Sequence, residues 1–186
     1  MDRVKLVAIL VAGLILLGCP REKYVGIPSG SINIPLNTYS GVLVAKLSAF
    51  DEVKKLYYST FRNVPLKYPY SNTFVIKDIR NLKSVYNQLK DYVPSAVRED
   101  NFMIRVGDDV VGYDFLRDKS AVLITFGSNY YDVSIVSSSA VEKNDKVYVS
   151  IEYSKSPSYE IKYPYLLLLF DNPIRKDIEV FIGEKK

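Results

Sequence analysis

From Asn101 onward the apolar residues of this chain recur at every second position, and no other feature narrows its possible folds as far. Phe102, Ile104 and Val106 alternate with more polar neighbours, as do Tyr131, Val133 and Ile135, and then Val147, Val149, Ile151 and Tyr153. A strand sends successive side chains to opposite faces, so this period predicts strands with one face buried. Ser120 to Phe126 and Tyr165 to Phe170 are apolar nearly throughout, which predicts strands covered on both faces. Glu142-Lys143-Asn144-Asp145 predicts a hairpin turn. Strands following one another through short polar links make a mainly antiparallel sheet, arranged as a sandwich or a partly open barrel.

Upstream the period lengthens. Gly41 to Lys46 reads as a strand, followed by a helix capped at Ser48, with Asp51 three residues on and Val53, Leu56, Tyr57 and Phe61 on one face. Pro65 and Pro69 break the chain. Thr73 to Ile76 reads as another strand, and Asp78 caps a second helix in which Ile79, Leu82, Val85, Tyr86, Leu89, Tyr92 and Val93 keep the helical spacing until Pro94. The expected class is therefore α+β, with two amphipathic helices packed on the sheet.

The first 19 residues have a different logic. Arg3 and Lys5 precede an apolar run from Leu6 to Leu17, which is followed by Gly18 and Cys19. That is the layout of a secretory signal, and the run is shorter than the roughly 20 residues a spanning helix needs. Leu16-Leu17-Gly18-Cys19 resembles the lipobox of prokaryotic lipoproteins. The resemblance implies cleavage between Gly18 and Cys19, diacylglycerol on the Cys19 thiol and an acylated new amino terminus. The expected organisation is a signal peptide over 1–18, lipidated Cys19 with a tether to residue 38, and one α+β domain over 39–186. Pro20, Gly26, Pro28, Gly30 and Pro35 mark the tether. The chain is expected in the cell envelope, lipid-anchored on the extracytoplasmic side of a membrane.

Composition removes several kinds of chemistry. There is no His, so Ser-His, Cys-His and His-metal sites are excluded. The single Cys excludes an internal disulfide. The formal charge of +4 falls to +3 once Asp2, Arg3 and Lys5 leave with the signal, and acids and bases are mixed along the chain. No footprint for nucleic acid results. Asp108-Asp109 and Glu99-Asp100 are neighbours that point apart in extended chain, which suits neither a metal cage nor an acid-base pair. Ser137-Ser138-Ser139 and Ser154-Lys155-Ser156 invite a Ser-Lys hydrolase reading, but a strand would put Lys155 on the face opposite both of its serines, and nothing in the sequence supplies an oxyanion hole. No metal, no cofactor and no catalytic residue is expected.

Phe74 to Pro173 resembles the carboxyl-terminal domain of the PrcB family, named for a lipoprotein subunit that stabilises a surface protease complex in spirochaetes. The similarity, spanning 73–173, is carried by the order of its pieces. Phe74-Val75-Ile76 and the helix from Leu82 to Leu89 come first, then Asp114-Phe115 before the strand Ala121 to Phe126 with Gly127, then Tyr130 to Ile135, Val147 to Pro157, and Tyr163-Pro164-Tyr165-Leu166-Leu167. Where many members carry Thr-Gly-Gly-Tyr, this chain has Ser128-Asn129-Tyr130-Tyr131. It thus loses the paired Gly that most readily takes positive φ, and the loop is expected to differ in shape.

The resemblance implies a non-catalytic, membrane-held module that binds another exported protein, a protease being the family's example. An envelope glycan-binding module is the alternative, and an exported hydrolase the remaining one. Tyr130, Tyr131, Tyr163 and Tyr165 are the candidate binding residues. Tyr68-Pro69-Tyr70 and Tyr163-Pro164-Tyr165 form twin motifs. In one reading the Pro starts a strand and the rings cover the sheet; in the other they form an exposed aromatic patch.

Overall fold

A computed structural model describes residues 30–47, 62–95, 97–106 and 109–185. The expected signal peptide, Gly18, Cys19, most of the expected tether and the expected first helix lie outside the described residues. The class is α+β, with strands in the majority.

Three four-stranded sheets surround two central strands, one buried throughout and the other at all but its last residue. The middle sheet has the order β2 (Leu36–Val42), β11 (Pro164–Phe170), β8 (Ser120–Phe126) and β5 (Ser71–Ile76), antiparallel throughout. Its apolar runs alternate between two cores. Ala121, Leu123, Tyr165, Leu167 and Leu169 face one, while Val122, Ile124, Leu166, Leu168 and Phe170 face the other. This double burial is why both runs show no polar alternation. Each fully buried aliphatic side chain contributes roughly 1.5–3 kcal/mol, so β8 and β11 are the strongest structural commitment in the chain.

The second core is closed by an outer sheet ordered β1 (Ile32–Ile34), β9 (Asn129–Lys143), β10 (Lys146–Lys162) and β12 (Asp177–Glu184). Val133, Val147, Val149, Ile151 and Tyr153 point into it on the parity their spacing predicts, and Ala140 joins them on the other parity, beyond a register shift that skips Val136. The β9–β10 turn is made at Asn144, with φ 55°, and Asp145, Asn being tolerant of the left-handed region. β12 pairs with β10 in parallel over eight residues, the one departure from antiparallel order. The alternation of Ile178, Val180 and Ile182 gives it its inward face.

The first core is closed by α1 (Ile79–Leu89), which buries Leu82, Val85 and Leu89, and by a third sheet ordered β4 (Arg62–Pro65), β3 (Val44–Leu47), β6 (Phe102–Val106) and β7 (Asp109–Val111). Asp78 caps α1 as its sequence predicts, its carboxylate accepting from the Asn81 N–H at 2.9 Å. That bond holds the Asp78 carboxyl below its ordinary range.

Two sequence expectations change here. Residues 32–38, read as the end of a tether, belong to β1 and β2, and the single strand expected over Gly41–Lys46 is two strands. One extended segment visits all three sheets, leaving the outer sheet at Pro35 and the middle sheet at the buried Leu43. Pro lacks the N–H a continuing ladder needs, so a strand changes sheet there at little cost. Pro65, expected only to break the chain, ends the edge strand β4, where a missing N–H is tolerated.

Candidate functional site: the tyrosine end and its cleft

The register places both Tyr-Pro-Tyr motifs at one end of the middle sheet. Ser71 pairs with Phe126 and Tyr165 with Thr125, so Tyr70 and Tyr163 each arrive beside Gly127, on opposite sides of β8. Gly127 has φ +75°, and a Cβ there would lie 2.8 Å from the Pro69 carbonyl oxygen. Only glycine fits this close approach without movement. Thr125 fastens the same junction: its buried hydroxyl donates to Tyr70 O at 2.9 Å and accepts from Asn72 N at 3.0 Å.

The rings divide according to strand position. Tyr68 is buried and packs edge-on against Tyr70, Phe74 and Tyr92, with centroids 5.2–6.0 Å apart, geometry favoured by the ring quadrupole. Tyr70 remains 58% exposed. A hydrogen bond with Tyr70 pushes the Tyr92 hydroxyl up to about 12. Tyr163 is half-buried. Tyr165, expected at a binding surface, is only 4% exposed and lies in the first core, because β11 is covered on both faces and its parity turns this ring inward. Burial pushes its hydroxyl up as well.

Tyr130 and Tyr131 begin β9 directly after the Gly127 turn. Asn129 secures that turn by donating from Nδ2 to Phe126 O, so the loop lacking paired glycines uses a side-chain amide and a single Gly. Tyr130 is 64% exposed. Tyr131 packs onto the second core, and the Lys155 ammonium sits 4.7 Å over its ring. Lys155 also bonds Glu184 at 2.5 Å, and this contact holds its pKa up. Its role here is to brace β10 against β12.

The pairing of β9 with β10 jumps from Tyr131–Pro157 to Asn129–Lys162, leaving Ser158 to Ile161 as a four-residue protrusion. Tyr159 is fully exposed there and Ile161 half exposed. Ser158 braces the protrusion from within, donating to Glu160 O at 3.1 Å and accepting from Glu160 N at 3.3 Å. The sequence reading missed both apolar residues. The available signal was Pro157 inside a strand pattern, which marks an edge or a bulge. Of the eight large apolar side chains exposed among the described residues, five (Val42, Tyr70, Tyr130, Tyr159 and Ile161) gather at this end.

Below the tyrosines a cleft of about 410 Å³ opens between the middle and outer sheets, lined by Asn72, Thr125, Phe126, Tyr153, Ile182 and Glu184 among others. Away from the cleft, the Lys77 ammonium after β5 reaches Lys176 O at 2.6 Å and Asp177 at 3.8 Å, tying the end of β5 to the start of β12. Several other features weighed in the sequence take structural places, and Asp108 lies outside the described residues. Glu99 pairs with Lys83 at 2.9 Å, Ser137 donates to Glu152 at 3.3 Å, and Ser138 accepts from Thr38 at 2.8 Å across the β2–β9 corner. Among the described residues no cluster of three or more acidic, His or Cys side chains is placed to hold a metal ion. No family model, curated protein or solved structure matches this chain.

Proposed function

We propose that this chain is a non-catalytic envelope lipoprotein, anchored through lipid on Cys19, whose tyrosine end binds another exported protein. The carrying observation is the concentration of exposed aromatic and apolar side chains on a braced, protruding end of the domain. Apolar surface gathered in one place marks an interaction site in a way that scattered residues do not, and tyrosine supplies large contact area with few rotamers to freeze. The direction of the chain adds support. Ile32 pairs with Glu142 beside the β9–β10 turn, so the lipidated segment joins the domain at the end opposite Tyr130. Twelve residues of β9 separate the two, about 40 Å at roughly 3.4 Å per residue.

The PrcB resemblance makes a protease the leading partner. A glycan partner fits less well, because one face of Tyr131 is occupied by Lys155. Affinity capture of the intact chain from solubilised membranes tests the proposal. One protein should be enriched over an untagged control and be lost with Tyr159→Ser combined with Tyr130→Ser. Equal recovery with the double variant, or enrichment of no protein, overturns it. For the anchor, Cys19→Ser should abolish acyl labelling and leave a larger precursor.

A further inference from the structure

The outer sheet has a second face. Ala140 and Val149 point into the second core, so their neighbours Val141 and Tyr148, paired across β9 and β10, point the other way. On β12 the inward set is Ile178, Val180 and Ile182, which turns Phe181 outward beside Tyr148, the two rings stacked with centroids 6.5 Å apart. Val141, Tyr148 and Phe181 thus form an apolar strip across three strands.

The strip is less exposed than an open sheet face. Val141 is only 1% exposed, and it is the one buried apolar residue among those described that belongs to neither core. Tyr148 and Phe181 are half-buried, as are Ser139 and Lys143 on either side of Val141, while its cross-strand neighbour Asn33 on β1 is exposed. The described elements that pack on β9, β10 and β12 lie within the outer sheet or on its inner side. A valine so placed is closed off by a further piece of chain.

We infer that this strip is the docking site of the segment just before the domain, Tyr24-Val25-Gly26-Ile27-Pro28, which latches the tether onto the outer sheet. The described chain begins at Gly30, three residues before the Asn33 that pairs with Val141. Gly30 lies in a turn with φ +74°, a conformation glycine takes freely, so the chain bends at the edge of this sheet before entering β1. The segment brings Tyr24, Val25 and Ile27 to the strip. Its four steps from Pro28 to Tyr24 span about 14 Å at roughly 3.4 Å each, the width of three strand spacings from β1 to β12. The other long stretch outside the described residues, 48–61, joins β3 to β4, in the sheet that closes the first core on the far side of the middle sheet. The latch itself needs no lipid, but its consequence rests on the anchor proposed above. Only Pro20 to Lys23 separate Cys19 from the docked segment, a reach of roughly 17 Å, so the domain is held close to the membrane in one orientation instead of swinging on the whole of residues 20–29.

The test places the photocrosslinker p-benzoylphenylalanine at position 27 of the full chain, irradiates it in intact membranes and in detergent extract, and maps the products. An intramolecular product with peptides covering 139–150 or 177–184 is expected in both preparations. Hydroxyl-radical labelling reads the strip from its other side. Val25→Asp combined with Ile27→Asp should raise modification of Tyr148 and Phe181 several-fold, while Tyr130, already exposed, and amide exchange in β8 and β11 stay unchanged. The inference is overturned if position 27 gives no such product, if it crosslinks instead to lipid or to a second protein, or if Tyr148 and Phe181 label equally in the native chain and the double variant. Neither readout involves partner capture or acyl labelling, so the latch can fail while the anchor and the tyrosine end stand.

Discussion

Tyr68-Pro69-Tyr70 and Tyr163-Pro164-Tyr165 are the same tripeptide, and both deliver a strand to the same end of the middle sheet beside Gly127. Their rings are used in reverse. In the first motif the leading ring is buried and the trailing ring exposed; in the second the leading ring is half-buried and the trailing ring buried. The difference comes from where the strands lie. β5 is an edge strand, so its first residues can lean outward, whereas β11 is central and covered on both faces. A local motif starts the strand, and sheet position decides which ring is free to meet a partner.

The comparison breaks most sharply at its buried member. Tyr165→Ala removes a ring from the first core, and the loss of a large buried aromatic should cost about 3–5 kcal/mol. Tyr70→Ala gives up edge contacts with the Tyr68 and Tyr92 rings but empties no core, and should cost less, about 0.5–1.5 kcal/mol. Urea denaturation midpoints of the two variants test this, and equal destabilisation would mean the motifs are interchangeable after all.

The junction between the motifs comes next. Gly127→Ala puts a Cβ 2.8 Å from the Pro69 carbonyl at a φ of +75°. The left-handed conformation alone costs roughly 1–2 kcal/mol for a residue with a Cβ, and the contact adds to it. A total of about 2–3 kcal/mol is expected, read as a lowered thermal midpoint. Thr125→Val keeps the shape but deprives Asn72 N of its acceptor and Tyr70 O of its donor. An unmet group of this kind costs about 1–3 kcal/mol. Exchange at the Asn72 amide should accelerate while amides in β9 remain unchanged, which confines the effect to the first motif.

How much of this was legible in the sequence follows from the range over which each feature is determined. The inward parity of Val147, Val149 and Ile151, the double burial of β8 and β11, the Asn144 turn and the Asp78 cap all depend on neighbours a few residues away, and all could be read. The division of residues 32–47 among three sheets depends on pairings with Glu142, Tyr165 and Arg105, which no local pattern contains. β12 shows its alternation in Ile178, Val180 and Ile182, yet nothing local reveals that it joins β10 in parallel or leaves an edge bare. The candidate site suffers most from this limit. Tyr130 could be placed beside a turn and hence outside, but Tyr165 looked equally available until its strand became central, and Tyr159 was hidden in a run whose only irregularity was Pro157.

The smallest effect is the most selective. The Tyr92 hydroxyl is held up to about 12 chiefly by its hydrogen bond with Tyr70, against an ordinary tyrosine value near 10. With the folded value above the unfolded one, the stabilising contribution is fully present below about pH 10 and is lost as pH rises toward 12. Tyr70→Phe keeps the ring and removes the hydroxyl, so Tyr92 should titrate closer to its ordinary value while Tyr165, raised by burial alone, does not move. Ultraviolet titration of tyrosinate in the two chains would resolve this as one group shifting downward. If the titration is unchanged, the ring contacts of Tyr68, Tyr70 and Tyr92 hold the first motif together without the hydroxyl bond. The exposed tyrosine would then owe its position to packing, as its buried counterpart in the second motif does.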